Sequence, residues 1–130
     1  MSARRFPLSN HLYVGGVALR VVLVDDIPEV LGLLRALIRR HIDAEIVGEA
    51  GTAADAVRLT RELQPDAAVL DLVLPDVSGK DLYTMVQAAC PETRVIVFTA
   101  YETDTAWYAA SGVPVLPKEK FDELVAALIA

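Results

Sequence analysis

The sequence predicts an α/β fold, a parallel five-stranded sheet with helices on both faces, and three observations predict it. Short apolar runs rich in Val, Leu and Ile alternate with stretches whose apolar residues recur at helical spacing. Hydrophobic residues fill 54% of the 130 positions and aromatics only 6%, the composition of an aliphatic core between sheet and helices. Three of the apolar runs lead directly into a polar residue, Asp25, Asp71 or Thr99, and in such sheets ligands collect at the carboxyl ends of the strands.

The elements follow in order. Leu19 to Val24 reads Leu-Arg-Val-Val-Leu-Val, too short for a lone helix and β-branched enough for a buried parallel strand. Pro28 sits where a first helical turn tolerates proline; Val30, Leu31, Leu34, Leu37 and Ile38 then form a helical stripe, with Arg35, Arg39 and Arg40 outside it. Glu45 to Val47 is a short second strand, and Thr52 is the N-cap of a second helix that reaches about Leu63 before Pro65 stops it. Ala67 to Leu70 is the third strand. A turn rich in Pro75, Asp76, Ser78 and Gly79 leads into a third helix marked by Leu82, Met85, Val86 and Ala89 and ended by Pro91. Val95 to Phe98 is the fourth strand, Glu102 to Ala110 a short fourth helix, and Val113 to Leu116 the fifth strand. Phe121, Leu124, Val125, Leu128 and Ile129 form the buried stripe of the last helix.

Pro114 inside the fifth strand removes a ladder donor, which only an edge strand tolerates. Right-handed crossovers and the flavodoxin-like strand order 2-1-3-4-5 put that strand at an edge.

The length fits one domain over residues 19–130, preceded by a flexible extension at residues 1–18 to which no function is assigned. That segment carries Arg4 and Arg5, but Pro7, Ser9, Asn10 and His11 break any apolar run, so the secretory pattern is absent, and no stretch is long enough to span a membrane. A formal charge of -6 argues against direct nucleic-acid binding and favours a folded partner or a cation. Cys90 is the single cysteine and forms no zinc-type cluster with His11 or His41; the expected compartment is the cytoplasm.

Asp25 and Asp26 end the first strand and Asp71 ends the third, so three carboxylates converge near the point where the strand order reverses. Two such charges about 4 Å apart repel by roughly 4 kcal/mol at an effective dielectric near 20. Either a positive group offsets this or a carboxyl stays protonated. A hard divalent cation is the economical answer, and magnesium fits a site of few carboxylates and several waters. Thr99 and Lys118, at the ends of the fourth and fifth strands, supply a hydroxyl and an ammonium where added phosphoryl oxygens could be stabilised. Asp71 would be the nucleophile.

Each residue also has a plainer reading. Asp25-Asp26 before Pro28 could be a helix cap and its neighbour, Asp71 a turn residue, and Thr99 an ordinary loop hydroxyl. Lys118 lies in Pro-Lys-Glu-Lys, where Lys120 is a rival. Trp107 and Tyr108 read as packing, and Cys90 as a small buried apolar group.

From about Leu19 to the C-terminus the chain resembles the receiver domains of bacterial response regulators. The resemblance rests on Val-Val-Leu-Val-Asp25-Asp26, Ala-Val-Leu-Asp71-Leu-Val-Leu-Pro75-Asp-Val-Ser-Gly79, Val-Ile-Val-Phe-Thr99-Ala100 and Leu-Pro-Lys118. Val47-Gly48-Glu49-Ala50 and Gln64-Pro65-Asp66 resemble the subgroup that precedes helix-turn-helix output domains. The resemblance implies that Asp71 accepts a phosphoryl group from a sensor histidine kinase or phosphotransfer protein. It implies magnesium held by Asp26, Asp71 and the Val73 carbonyl, with Asp25 holding a metal-bound water. Thr99 and Lys118 would contact the phosphoryl group, and the switch would act on a downstream protein partner, an output domain or a second copy in a homodimer.

Three departures accompany it. Glu119 rather than proline follows Lys118; Val115 stands where an aromatic commonly rotates on activation, leaving Tyr101 or Tyr108 as substitutes; and only 19 positions separate Thr99 from Lys118, which implies a shortened, shifted or irregular fourth helix. The competing reading is a receiver-like binding module that is never phosphorylated. An aspartyl phosphatase is disfavoured because its second acid would fall at Val73, and a dinucleotide enzyme because Asp25-Asp26-Ile-Pro28 lacks the glycine turn. The chain is therefore read as a switch and not as an enzyme.

Overall fold

The computed structural model describes residues 18–100 and 104–130. The expected extension therefore lies, Ala18 apart, outside the described residues, as do Tyr101 and the first two positions of the expected fourth helix. Ala18 itself is buried.

Strands β1 (Leu19–Val24), β2 (Ala44–Ala50), β3 (Ala67–Leu70), β4 (Arg94–Thr99) and β5 (Val115–Pro117) alternate with helices α1 (Pro28–His41), α2 (Ala53–Leu63), α3 (Gly79–Ala89), α4 (Thr105–Ala109) and α5 (Phe121–Ile129). All pairings are parallel and the sheet order is β2-β1-β3-β4-β5, as expected from the alternation of elements. The period of two along each strand divides the core. Val22, Val24, Ala68, Leu70 and Val97 face Ala53 and Ala56 of α2, Leu82 and Val86 of α3, and Tyr108. Val21, Leu23, Val69, Ile96 and Phe98 face Leu31, Leu34 and Ile38 of α1 and Leu124 and Leu128 of α5. Central strands buried on both faces explain why β1, β3 and β4 read as nearly unbroken apolar runs, with Arg20 and Arg94 only at the start of β1 and β4.

Local chemistry sets the helix ends. Thr52 accepts from the Asp55 amide at 3.2 Å and Ser78 from the Asp81 amide at 3.2 Å, each relieving an orphan donor of the first turn. Gln64 closes α2 in the left-handed region at φ 47°, directly before Pro65.

Several boundaries differ from expectation. β2 is longer because it pairs along all of β1, with a register shift between Val21 and Val22 absorbing the mismatch. β5 begins one residue after Pro114, whose carbonyl accepts from the Val97 amide at 2.9 Å; the proline contributes only an acceptor, and its missing N–H is never called on. Val113 is buried in the core without belonging to the strand. α4 begins at Thr105, where Asp104 caps it by accepting from the Trp107 amide at 3.0 Å, and Gly112 at φ 74° turns the chain toward β5. The helix is short, as the spacing from Thr99 to Lys118 implied. Met85 and Ile129, placed in helical stripes, are exposed.

Candidate functional site: an acidic pocket at the strand ends

Two backbone bonds extend the ladder past the strands. The Asp25 amide donates to the Ala50 carbonyl and the Asp71 amide to the Val24 carbonyl, both at 2.9 Å. Hydrogen bonding at these positions fixes both carboxylates at one edge of the sheet, where β1 and β3 adjoin. Asp25 is 1% and Asp71 5% exposed, while Asp26 faces solvent. Carboxylate oxygens of the three lie within 4.8 Å of one another.

Asp71 is surrounded by donors. Its Oδ1 accepts from the Thr99 hydroxyl at 3.1 Å and the Val73 amide at 3.3 Å, and its Oδ2 from the Lys118 ammonium at 3.1 Å. The Lys118 Nζ also donates to Asp25 Oδ2 in a close ion pair, while Asp25 Oδ1 accepts from the Ile27 amide at 2.9 Å. Lys118 lies one residue beyond β5, and its own amide donates to the Thr99 carbonyl at 3.1 Å, so the edge strand aims the ammonium into the pocket without a following proline.

Thus four strand ends deliver Asp25, Asp71, Thr99 and Lys118 to one place. Lys120 does not join them; it is exposed at the N-terminus of α5. The plainer reading of Asp25-Asp26 as a cap of α1 fails as well. The N-cap is Ile27, which makes no side-chain capping bond, and Asp25 spends its second oxygen on Lys118.

Burial pushes the Asp25 carboxyl above its ordinary value, against the opposing pull of Lys118 and the Ile27 amide. For Lys118, burial works downward, but bonds to Asp25 and Asp71 outweigh it and the ammonium is held above its ordinary value. Two buried carboxylates with one shared counter-charge and an exposed third acid form a hard-oxygen cluster with negative charge in excess. That donor set fits a small divalent cation such as magnesium.

One supporting residue carries no signal in the sequence. Asp76, in the β3–α3 turn, accepts from the Ala53 amide through Oδ1 at 2.9 Å and from the Ala54 amide through Oδ2 at 3.2 Å, which holds its carboxyl below the ordinary range. An aspartate after proline is typical of turns, and its partners lie more than twenty residues back, so nothing local marks the bond. Lys80 similarly joins α3 to α4, donating to Asp104 at 3.2 Å and lying 5.1 Å over the Trp107 ring. Trp107 and Tyr108 are packing residues, stacked edge-on with Tyr83 of α3. Among the described residues no helix is long and apolar enough to cross a membrane.

Comparison with known proteins places the chain among regulatory proteins. The sequence is 29% identical over 119 residues to the uncharacterized transcriptional regulatory protein YxjL of Bacillus subtilis, covering 84% of this chain and 54% of that protein. It is 37% identical over 87 residues to the DNA-binding transcriptional activator DevR/DosR of Mycobacterium tuberculosis, covering 67% and 40%. The chain thus spans about half or less of the curated relatives it matches. The fold is similar to the signal receiver domain of the putative response regulator NarL from Mycobacterium tuberculosis, with a TM-score of 0.73, 27% identity, and coverage of 85% of this chain and 93% of that one. The family model for the response regulator receiver domain matches residues 21–128. Because that match runs from within β1 to within the last turn of α5 and takes in every residue of the pocket, the chain belongs to the receiver domains of response regulators.

Proposed function

We propose that this chain is a phosphorylation-driven switch in which Asp71 accepts a phosphoryl group from the phosphohistidine of a histidine kinase or phosphotransfer protein. The observation that carries this reading is the set of donors around Asp71: Thr99, Val73 and Lys118 hold a buried carboxylate fixed in direction. One Asp71 oxygen forms the new bond to phosphorus as the bond from phosphorus to the donor imidazole breaks, and the imidazole leaves with that electron pair. The Thr99 hydroxyl and the Lys118 ammonium, already within hydrogen-bond reach of Asp71, then donate to the phosphoryl oxygens.

Asp26, Asp71 and the Val73 carbonyl would hold magnesium, with Asp25 acting through a bound water. The ion would neutralise charge shared between carboxylates and phosphoryl oxygens. Moving Thr99 and Lys118 onto new partners biases two arrangements of the strand ends that carry them, and so changes affinity for a downstream partner or output domain.

Magnesium with beryllofluoride, a stand-in for the acyl phosphate, tests the site. Amide NMR shifts are expected to centre on Asp26, Asp71, Thr99 and Lys118. A folded protein with no response would leave a receiver-shaped binding module as the better reading.

A protein donor suits the rim of the pocket. Ile27, which follows Asp26, is 47% exposed, Val73, two residues beyond Asp71, is 43% exposed, and Leu33 on α1 is 58% exposed, apolar surface that a protein partner could cover. Leu33→Glu is expected to slow transfer from the phosphorylated donor protein about tenfold, the scale of one lost apolar contact plus a misplaced charge. Uptake from acetyl phosphate, which needs no docking, should stay unchanged; equal slowing with both donors would place the defect inside the pocket.

A further inference from the structure

The two halves of the acidic pocket belong to separate loops. Asp25 and Asp26 follow β1, whereas Asp71 and Val73 lie in the β3–α3 connection. Gly51, just before α2, lies against the first half: a Cβ there would sit 3.7 Å from the Asp25 carbonyl oxygen and 3.8 Å from the Asp26 Cα. Asp76 joins the second half to the same place, because its carboxylate takes both the Ala53 and the Ala54 amides at the start of α2. The rest of the connection leaves little slack. Leu74 is buried, Ser78 caps α3, and a Cβ at Gly79 would meet that of Leu72 at 2.8 Å, so only glycine lets the chain fold back there.

From this placement we infer that Asp76 is a positioning residue for the pocket, setting the distance between the Asp25-Asp26 pair and the segment that carries Asp71 and Val73 by tying that segment to the N-terminus of α2. The inference rests on the magnesium-dependent reading of the site. Asp76 touches neither cation nor phosphoryl group; it acts through the backbone. Val73 is three residues from the anchor, so release of the carboxylate frees a short tether and widens the range of positions open to the Val73 carbonyl. Groups of this supporting kind tune metal affinity without ligating.

The test is a titration with magnesium chloride followed by amide NMR, on wild type and three variants. Asp76→Ala is expected to raise the magnesium Kd about tenfold. Asp76→Asn keeps one acceptor oxygen and should lose only about threefold, rescuing most of the affinity. Thr52→Ala removes the side-chain cap of α2 while leaving the bonds of Asp76 in place, and its magnesium Kd should stay within about twofold of wild type. Amide exchange at Ala53 and Ala54 should quicken in Asp76→Ala, and a melt of each variant reports folding. Should Asp76→Ala not fold, the graded loss in Asp76→Asn decides the matter. Wild-type affinity in Asp76→Ala despite faster exchange at Ala53 and Ala54 would overturn the inference. So would an equal loss in Thr52→Ala, which would reduce Asp76 to a general support of α2. Failure of wild type to bind magnesium at all is a distinct outcome: it overturns the reading of the site and this role with it.

Discussion

Asp71→Asn is expected to abolish phosphoryl uptake while leaving the domain folded. The substitution keeps the shape of the side chain, and the amide oxygen can go on accepting from Thr99 and the Val73 amide, which meet Oδ1 at 3.1 and 3.3 Å. What disappears is the charge on the attacking atom and one of the two carboxylates that hold Lys118. The ammonium retains Asp25, so no buried cation is stranded. Removing one of two like charges also relieves repulsion, and the net change in stability should stay within about 1 kcal/mol. An amide is too weak a nucleophile to displace imidazole or acetate from phosphorus. Uptake from acetyl phosphate with magnesium should therefore fall by on the order of a thousandfold or more, below detection by intact-mass measurement. Persistent single phosphorylation of the variant would move the acceptor to Asp25 or Asp26, whose carboxylates lie within 4.8 Å of the same place.

Much of this site is legible in the sequence, because its geometry depends on topology more than on side-chain packing. A parallel sheet with short right-handed connections places every strand's carboxyl end on one edge, so a polar residue following an apolar run is already located in space. Asp25, Asp71 and Thr99 follow such runs, and each reaches the pocket. Lys118 is harder to place, because β5 is an edge strand of three residues whose start the apolar pattern sets too early; backbone pairing of Lys118 to Thr99 makes the choice over Lys120. Stripes fail where helices are short or half-covered. Met85 and Ile129 match the period of their helices but fall at its margin, where solvent begins. Asp76 is illegible for a different reason: its bonds join the β3–α3 turn to the first residues of α2 through tertiary placement, and neither composition nor periodicity encodes them.

Replacing Lys118 separates the structural and chemical parts of the pocket. Its ammonium serves both buried carboxylates, and its side chain is only 20% exposed. Lys118→Met keeps length and apolar stem but leaves Asp25 and Asp71 facing each other without a counter-charge. Partial hydration and protonation absorb some of the repulsion, so a loss of about 2 kcal/mol at neutral pH is expected, a fall in Tm on the order of 10 °C. The dependence on pH carries the diagnosis. In wild type the Lys118 pKa is raised from 10.5, so its stabilisation is fully present below that value and is lost as pH rises through the raised one. Asp25 is raised from 3.8 chiefly by burial, so ionising it costs stability as pH climbs above 3.8, and Lys118 limits that cost. Without the ammonium the Asp25 pKa rises further and the cost grows. The deficit of Lys118→Met relative to wild type should therefore shrink as pH is lowered from 7 toward the ordinary carboxyl range, a trend that urea melts across that interval would reveal. Magnesium should stabilise the variant more than wild type, since the cation no longer competes with a resident ammonium and binds the folded state alone. Phosphoryl uptake should nevertheless stay about ten- to a hundredfold slower with magnesium saturating, because the donor aimed at the phosphoryl oxygens is gone. A deficit that is flat with pH would mean that Lys118 contributes packing rather than charge. Recovery of full uptake by magnesium would confine the lysine to a structural role.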